Sequence, residues 1–407
     1  GMVADNFLFM NELEVVSVCD VYEDRVEDIA KIIKEKTGSE PHKTVNYKEV
    51  IDNPDVEAVY ISTSWDTHVD ISVYAMNAGK AVALEVGGAY DIDDCWRLVD
   101  TYEKTKTPFM FMENCCFGRR EMMVLNMVKK GMFGEVVHCQ GGYQHDLRVE
   151  IASASTTKHY RLRNFMNRCC ENYPTHELGP IAKTLDINRG NRMISLNAMA
   201  SKARGINTYA KTRPNIDPAL QTAQLKQGDI VKTNILCANG ELITLTLDNS
   251  LPRFYSRNYT MRGTEGFFSE MTASVFIDSV HGEEVPEADR KDFHNNIDEY
   301  RKEWEHPVWR RFEEEGVKGG HGGMDWLVMR AFLEAARRKI QTPIDVYDSA
   351  TLMAVALLSE ESISMGSATV AIPDFTDGMW IKREPGPKSI FSLSEVDDSI
   401  FEGEVEF

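Results

Sequence analysis

VEAVYISTSWDTHVDISVYAMNAGKAVALEV, residues 56–86, decides the fold because it indicates a strand, a helix and a second strand in succession. VEAVYIST (56–63) and KAVALEV (80–86) are short, largely apolar runs, which is typical of buried strands. The residues between them predict a helix over about 67–78. A strand followed by a helix and a further strand builds a parallel sheet with a right-handed crossover.

The same alternation of strands and helices extends over the first 118 residues. LEVVSVCD (13–20) and PFMFMEN (108–114) are predicted as two further strands. Apolar residues at helical spacing predict helices over VEDIAKIIKEK (26–36) and IDDCWRLVDTYEKT (92–105). Residues 1–118 are therefore expected to form one α/β domain around a parallel sheet.

Antiparallel strand signals dominate the chain after Gly118. DIVKTNILCANGELITLTLD (229–248) alternates apolar and polar residues on both sides of Asn239-Gly240, the strongest short signal for a hairpin. RNYTMRGTEGFFSEM predicts another strand pair, which turns between Gly263 and Gly266. These patterns predict a second domain of the α+β class with a mainly antiparallel open sheet.

The second domain is expected to span residues 119–385, and an acidic, loosely held tail is expected over 386–407. Residues 280–320 are charged and aromatic without a clear period, so we predict a surface insertion with short helices. The chain therefore divides into two domains and a tail.

The composition disfavours several classes of function. A formal net charge of −19 without a basic stripe disfavours binding to nucleic acid. The eight cysteines include no CxxC and no Cys/His cluster at zinc spacing, so free thiols and no metal site are expected. No apolar run approaches the length of about 18 residues that a membrane span needs. A cytoplasmic location is expected, with an N-terminal targeting segment left open.

Polar residues follow the predicted strands of the first domain at their carboxyl ends, where ligands of doubly wound sheets bind. In dinucleotide-binding sheets of this kind, an acid at the end of the second strand accepts hydrogen bonds from the adenosine ribose and repels a 2′-phosphate. Asp20 is assigned to that position, so it predicts NAD rather than NADP. Other residues expected to contact the same dinucleotide are Ser62, Trp65, His68, Glu85 and Asn114.

A dinucleotide-binding sheet also needs a first strand and a glycine-rich turn that bring backbone amides to the pyrophosphate. The chain opens GMVADNFLFMNELEVV, which is typical of the helix after that turn, and no GxGxxG precedes Asp20. The first strand and the glycine-rich loop of this Rossmann-like domain are thus expected to be missing from the sequence. We predict weakened NAD binding as a consequence.

The segment ENYPTHELGPIAKTLDINRG, residues 171–190, holds Tyr173 and His176 just ahead of an amphipathic stretch. Residues three apart share a helix face, so both side chains can point at one spot. Pro180 lies inside the helical pattern and is expected to kink or restart the helix. The segment therefore predicts either an ordinary packed helix start or a proton-transfer pair.

Six stretches match a known family: VALEVGGA (82–89), MENCCFGRREMMVLNMVKKGMFGEVVHCQGGYQHDLR (112–148), YRLRN (160–164), YPTHELGPIAKTLDINRGNRM (173–193), PRFYSRN (252–258) and GHGGMDW (320–326). On these residues the chain resembles the Gfo/Idh/MocA oxidoreductase family over nearly its whole length. Within that family it is most similar to the NAD-dependent α-N-acetylgalactosaminidases.

The chain departs from the general pattern of that family at two places. Ordinary members carry Glu-Lys-Pro where this chain has Glu85-Val86-Gly87, and Asp where it has Asn172, four residues before His176. The Lys and Asp that serve hydride and proton transfer in ordinary dehydrogenases of the family are therefore absent. The glycosidase branch also lacks that Lys, so the departure favours this branch.

The resemblance implies glycoside cleavage by oxidation at C3 with NAD, elimination of the aglycone after loss of the C2 proton, addition of water and reduction. His176 suits proton removal because its pKa lies near neutrality in the free amino acid, whereas Tyr173 and Tyr255 would need lowered pKa values to act as acid or base. The residues that the resemblance assigns to catalysis are Glu113, Tyr173, His176, Tyr255 and His321, and those assigned to the substrate are Tyr143, Arg161 and Asn172.

Two other functions are left open. One is an ordinary NAD-dependent sugar dehydrogenase or epimerase-like oxidoreductase, and the other is a non-catalytic relative that binds a sugar or a nucleotide. The expected partner is a small-molecule carbohydrate substrate. The resemblance also implies a homodimer or homotetramer that pairs through the open sheet of the second domain.

Overall fold

The computed structural model of the protein describes residues 2–281, 289–290, 293–383, 386–396 and 399. The helices and strands of the first domain are α1 (Met2–Asp5), β1 (Ser17–Cys19), α2 (Glu23–Thr37), β2 (His42–Thr44), α3 (Tyr47–Asp52), β3 (Ala58–Ile61), α4 (Trp65–Asn77), β4 (Ala81–Leu84), α5 (Ile92–Thr105) and β5 (Phe109–Phe111). The 3-10 turns of this domain are Phe7–Phe9 and Asn114–Phe117.

The parallel strands of the first domain fall into two separate sheets. β1 pairs with β2, and β4 lies between β3 and β5. Every one of these pairs is parallel, so the predicted α/β class is confirmed. Over the described residues no strand joins β1 to β3.

The strand β1 is shorter than the predicted 13–20. It pairs with a neighbour on one side only, through Ser17–Cys19 opposite His42–Thr44. A strand with a single partner is stabilised along one edge alone, so regular pairing ends where β2 ends. The apolar run ahead of Ser17 continues as irregular chain.

The second domain contains α6 (Arg119–Lys129), β6 (Val136–Gly141), α7 (Arg148–Ala152), α8 (Ala154–Thr157), α9 (Arg161–Asn167), α10 (Thr175–Thr184), β7 (Met193–Ala200), α11 (Gly205–Lys211), β8 (Ile230–Cys237), β9 (Leu242–Asp248), β10 (Thr260–Gly263), β11 (Gly266–Ser269), β12 (Ser274–Ile277), α12 (Asp278–His281), α13 (Ile297–Trp304), α14 (Pro307–Glu315), α15 (Met324–Arg338), α16 (Val346–Ser364) and β13 (Val370–Ala371). Its 3-10 turns include Pro218–Gln221, His321–Gly323 and Met379–Lys382.

An eight-stranded sheet in the order β12-β11-β10-β6-β9-β8-β7-β13 forms the second domain. All neighbours are antiparallel except β6 and β9, so the predicted mainly antiparallel sheet is confirmed. The hairpin predicted at Asn239-Gly240 joins β8 to β9, and Gly263 and Gly266 flank the turn between β10 and β11. α10 and α16 cover one face, and the other face is open.

The helix α10 runs without a break from Thr175 to Thr184, so the expected restart at Pro180 is wrong. Proline removes one hydrogen bond inside a helix. Here Leu178, Gly179, Ile181 and Ala182 are all buried, and their packing holds the helical path through the proline.

Two further expectations are corrected where the structure describes them. The 280–320 region is not only a surface insertion, because Val308, Trp309 and Phe312 of α14 are buried in the core; residues 282–288 and 291–292 lie outside the described part. The beginning of the predicted tail is packed, since Phe391 and Leu393 are buried. Residues 397–398 and 400–407 of that tail also lie outside the description.

All eight cysteines are free, as expected, and six of them are buried. Over the described residues, none of the helices is both long enough and apolar enough to cross a membrane.

Candidate active site

Glu113 and His176 form a hydrogen-bonded pair at the carboxyl end of β5. The Nδ1 atom of His176 lies 2.8 Å from Oε1 of Glu113. Glu113 is fully buried, whereas 15% of the His176 side chain is exposed. The close approach depends on Gly179, because a Cβ atom there would lie 2.8 Å from Cγ of Glu113.

The environment of Glu113 decides which nitrogen of His176 carries the proton. Burial alone would raise the pKa of Glu113, but the charge of His176 and its hydrogen bond lower it below its usual value. Glu113 is therefore a carboxylate at neutral pH and accepts the Nδ1 proton. In the tautomer of His176 that carries its ring proton on Nδ1, Nε2 is unprotonated, and it makes no hydrogen bond within the described chain. This geometry makes Nε2 a proton acceptor.

Aromatic rings cover one side of this pair. Tyr143 and Tyr173 are stacked at 4.5 Å between centroids, and each meets the ring of His176 edge-on. The ring centroid of Trp65 lies 5.7 Å from that of Tyr173, and the ring centroid of Tyr255 lies 6.4 Å from that of Tyr143. Tyr255 is 49% exposed, so it forms the rim of an otherwise buried aromatic wall.

The tyrosines of this wall keep their protons at neutral pH. Burial raises the pKa of Tyr143 to about 12 and raises the pKa values of Tyr173 and Tyr255 further. The lowered pKa values that acid or base action would need are therefore not found. In the resting site these hydroxyls are hydrogen-bond donors.

Arg161 places a buried positive charge against the same wall. Its guanidinium carbon lies 4.8 Å from the ring centroid of Tyr173, and its Nε pairs with Glu150. The charge of Arg161 acts to lower the pKa values of both Tyr143 and Tyr173, against the larger effect of burial. It is therefore suited to stabilise negative charge on an oxygen bound beside these rings.

His321 belongs to a second hydrogen-bonded group at the mouth of the site. Its Nδ1 lies 2.8 Å from Oδ2 of Asp325, whose Oδ1 accepts from Nδ2 of Asn114 at 2.7 Å. The hydrogen bond with Asp325 raises the pKa of His321. His321 is 69% exposed, so it is a protonatable group at the entrance.

Asp20 and Glu85 lie at the ends of β1 and β4, as predicted. The Oδ1 atom of Asp20 accepts the backbone N–H of Tyr22 at 3.0 Å, and its side chain is 32% exposed. Glu85 accepts the hydroxyl of Tyr60 at 2.5 Å, and burial raises its pKa to about 7. Both carboxyl groups therefore stand at the edge where a dinucleotide would lie.

The other predicted residues occupy different environments. Ser62 is exposed at the end of β3. Trp65 is in the aromatic wall, and the buried His68 is 3.0 Å from the carbonyl of Thr63, so both pack inward from the sheet edge. Asn172 is buried and donates to Gln227 at 3.2 Å, which gives it a contact away from the pair.

Sequence reasoning missed several groups around the site. Cys115 donates its backbone N–H to Glu113, and Arg257 lies between the buried carboxyl groups of Glu121 and Glu177. Asp325 belongs to the GHGGMDW stretch, four residues after His321, and it is the second residue of α15. The contacts of Cys115 and Arg257 had no local signal.

Ligand atoms of Glu113, Cys115 and His176 lie within 4.8 Å of one another, a grouping that the expectation of no metal site did not foresee. Burial raises the pKa of the Cys115 thiol well above its usual value, which disfavours the thiolate that a metal needs. Glu113 and His176 are bonded to each other. The arrangement therefore favours proton transfer over metal binding.

A parallel-sheet domain with an acid after β1, joined to an open-sheet domain that supplies His176, defines the NAD-binding oxidoreductase architecture. Residues 2–112 match the family model described as oxidoreductase family, NAD-binding Rossmann fold. Residues 117–382 match the model of the glycosyl hydrolase 109 C-terminal domain. The chain belongs to glycosyl hydrolase family 109.

Relatives agree with this assignment, and a solved structure agrees with the fold. A glycosyl hydrolase family 109 protein of Stenotrophomonas maltophilia is 38% identical over 400 residues, covering 92% of this chain and 86% of the relative. An alpha-N-acetylgalactosaminidase of Tannerella forsythia is 34% identical, covering 94% and 85%. The fold is similar to that of scyllo-inositol dehydrogenase from Lactobacillus casei solved with NAD(H) and scyllo-inositol, at a TM-score of 0.63, 13% identity and coverage of 91% and 95%.

Proposed function

We propose that this protein is an NAD-dependent glycosidase that cleaves an N-acetylhexosaminide by oxidation, elimination, addition and reduction. The Glu113–His176 pair is the observation that carries the proposal, because it provides a buried base with one nitrogen free. The alpha-N-acetylgalactosaminidase from Tannerella forsythia supports an N-acetylhexosamine as the sugar.

The residues present fit NAD at its adenosine ribose and at its nicotinamide end. Asp20 would hold the ribose hydroxyls, and Glu85 would lie beside the nicotinamide half. The loop after Glu85 is held closely, because a Cβ at Gly87 would lie 2.9 Å from Cδ1 of Trp65 and 3.0 Å from Nδ1 of His68. When bound, NAD supplies a reversible acceptor for a hydride.

His176 has the chemistry to move a proton of the sugar. Its Nε2 would accept a proton from the C3 hydroxyl or from C2 once C3 is a ketone. Glu113 orients the ring and stabilises the imidazolium that forms, as the carboxylate does in other Glu–His and Asp–His pairs. The pair can return the proton by the reverse path.

The surrounding groups bind and orient the sugar. The stacked rings of Tyr143 and Tyr173 offer an apolar face and exclude water from the pair. Arg161 stabilises oxygen atoms that gain negative charge, and His321 can donate a proton near the entrance.

Aglycone release tests this proposal directly. A panel of p-nitrophenyl N-acetylhexosaminides and hexosides is incubated with the protein and NAD, while nitrophenolate and NADH are measured together. We expect nitrophenolate without net NADH, because the hydride returns to the same sugar. In deuterated water the product should carry deuterium at C2.

Each other result excludes the proposal. NADH that accumulates in proportion to free sugar would identify a sugar dehydrogenase. Binding of sugar or nucleotide without any turnover would identify a non-catalytic relative. Nitrophenolate release that keeps protium at C2 in deuterated water, and that shows no kinetic isotope effect with substrate deuterated at C2, would exclude elimination.

Asp20 offers a prediction about the cofactor alone. Asp20→Ala should weaken NAD binding by about tenfold to hundredfold, because hydrogen bonds to a charged group contribute about 1.5–3 kcal/mol. Calorimetric titration with NAD and with NADP measures the change, and the preference for NAD should shrink. Asp24→Ala is the matched control, since it removes an exposed acid from the first turn of α2. Equal affinities in the two variants would contradict the assignment of Asp20.

A homodimer or homotetramer formed through the open face of the second sheet completes the proposal. Met199, Leu236 and Leu242 are exposed on that face and would be covered by a second copy. The eight free thiols support a reducing, cytoplasmic location.

A further inference from the structure

His145 is a titratable group in contact with the aromatic wall that the proposed chemistry leaves unused. Its Nδ1 atom lies 2.9 Å from the hydroxyl oxygen of Tyr143, and its ring meets that of Tyr255 edge-on at 5.0 Å. It is only partly buried, whereas Tyr143 is buried. His145 therefore connects the hydroxyl of a buried tyrosine with the outside of the site.

The direction of this hydrogen bond follows from the two environments. Burial raises the pKa of Tyr143 to about 12, so its hydroxyl keeps the proton. Burial and the charge of Arg161 lower the pKa of His145, so its ring is neutral. The hydroxyl of Tyr143 then donates to Nδ1, and the ring proton of His145 is on Nε2. The charged or titratable groups that act on His145 are Arg161, Glu150, Asp146 and His176.

The proposed function, on which this inference rests, needs more than one proton acceptor. Oxidation of the C3 hydroxyl releases one proton, and removal of hydrogen from C2 releases a second before the aglycone takes one back. His176 can hold only one of these protons at Nε2, because its Nδ1 is bonded to Glu113. A second acceptor at the same wall would take the other proton while His176 still holds the first.

We propose that Tyr143 and His145 form a second proton relay, separate from the Glu113–His176 pair. A substrate proton passes to the hydroxyl oxygen of Tyr143 as the proton of Tyr143 passes to Nδ1 of His145. The reverse transfer returns one proton to the departing oxygen. Neither direction involves oxidation or reduction. Arg161 lies against the ring of Tyr173, which is stacked on Tyr143, and compensates negative charge on the Tyr143 oxygen during the transfer.

Chemical rescue tests the relay. His145→Ala should lower the rate of aglycone release by about tenfold or somewhat more. This loss should stay below the roughly 10²- to 10⁴-fold loss that is typical when a direct acid or base is removed. Imidazole added to the solution should restore part of the rate, and substituted imidazoles should do so in the order of their pKa values. A purely structural role of His145 would give no dependence on the pKa of the added base.

The path through Tyr143 is tested by combining variants. Tyr143→Phe keeps the ring stacked on Tyr173 and removes the hydroxyl. In the double variant Tyr143→Phe/His145→Ala, imidazole should no longer restore the rate. Rescue that persists in the double variant would overturn the relay, and so would wild-type activity in His145→Ala.

A matched control lies elsewhere in the second domain. His281 also has a ring nitrogen close to a tyrosine hydroxyl, that of Tyr300 at 3.2 Å, but it lies next to β12, three strands from β6. His281→Ala should show no rescue by imidazole. If His145→Ala does not fold, His145→Gln keeps a hydrogen-bonding group there without a titratable ring and should show the loss of rate.

The outcomes separate the two proposals. A wild-type protein that releases no aglycone would refute the proposed function, and the relay with it. An active wild-type protein with a fully active His145→Ala variant would refute the relay and leave the function standing.

Discussion

His176→Ala will lower kcat/KM for aglycone release by about 10²- to 10⁴-fold, the range of a general base. The variant loses the unprotonated Nε2 that faces the site, while Glu113 is left as a buried carboxylate without its partner. Initial rates on a nitrophenyl N-acetylhexosaminide, measured at saturating NAD, give the effect. A loss of less than about tenfold would contradict the assignment of His176 as the base.

Glu113→Gln separates two roles of Glu113, which are to orient the ring of His176 and to compensate its positive charge. Gln can still accept the Nδ1 proton but cannot compensate an imidazolium, so the loss should be smaller than for His176→Ala. The double variant should be no slower than His176→Ala alone, because the two residues act as a unit. His42→Ala is the matched control, since it removes the imidazole of an exposed His–Glu pair on β2. Its rate should equal that of the wild type.

Asp348→Ala will lower the free energy of unfolding by about 3–5 kcal/mol, the cost of breaking a buried ion pair from one side. Asp348 binds Lys183 and Arg189, and all three side chains are buried. It also completes the capping box of α16 with Asp345. Urea unfolding followed by circular dichroism measures the change.

The pH dependence of that stability has a definite sign. Burial acts to raise the pKa of Asp348, but the charges of Arg189 and Lys183 outweigh it and hold the pKa well below its usual value. The stabilisation is therefore fully present above the unfolded pKa of about 4, and it is lost as pH falls below that value. Burial and the charge of Arg189 lower the pKa of Lys183, against the opposite effect of Asp348 and Asp345.

An exposed acid gives the control for Asp348. Asp70→Ala breaks an ion pair with Arg97 at 2.7 Å in which both side chains are exposed, and should cost about 0–1 kcal/mol. Similar losses in the two variants would show that burial of the Asp348 network contributes little.

Local patterns were enough to predict much of the fold. Helix α5 has the predicted bounds 92–105, and the Asn239-Gly240 hairpin forms as expected. Both depend on residues close together in sequence: an apolar helix face and a two-residue turn that favours positive φ. The carboxyl ends of the parallel strands were predictable for the same reason.

Long-range packing decided what the sequence could not show. The continuity of α10 at Pro180 depends on what covers the helix on every side. The stack of Tyr143 on Tyr173 and the approach of Trp65 join segments that are far apart in the chain. The raised pKa values of Tyr173 and Tyr255 follow from that burial. The sequence alone could therefore not show that these tyrosines lack the lowered pKa values that an acid or base needs.

The division of the parallel strands into two sheets has a consequence for local stability. The unit β1-α2-β2 buries its own small cluster of Val18, Val26, Ala30 and Ile33, apart from the large cluster that extends through the rest of the chain. A unit with so little buried apolar surface can open without unfolding its neighbours. Asp20 would leave its place during such openings while Glu113 and His176 stay together. Release of the adenosine end of a bound dinucleotide would then precede release of the nicotinamide end, and the two halves of the cofactor would differ in residence time.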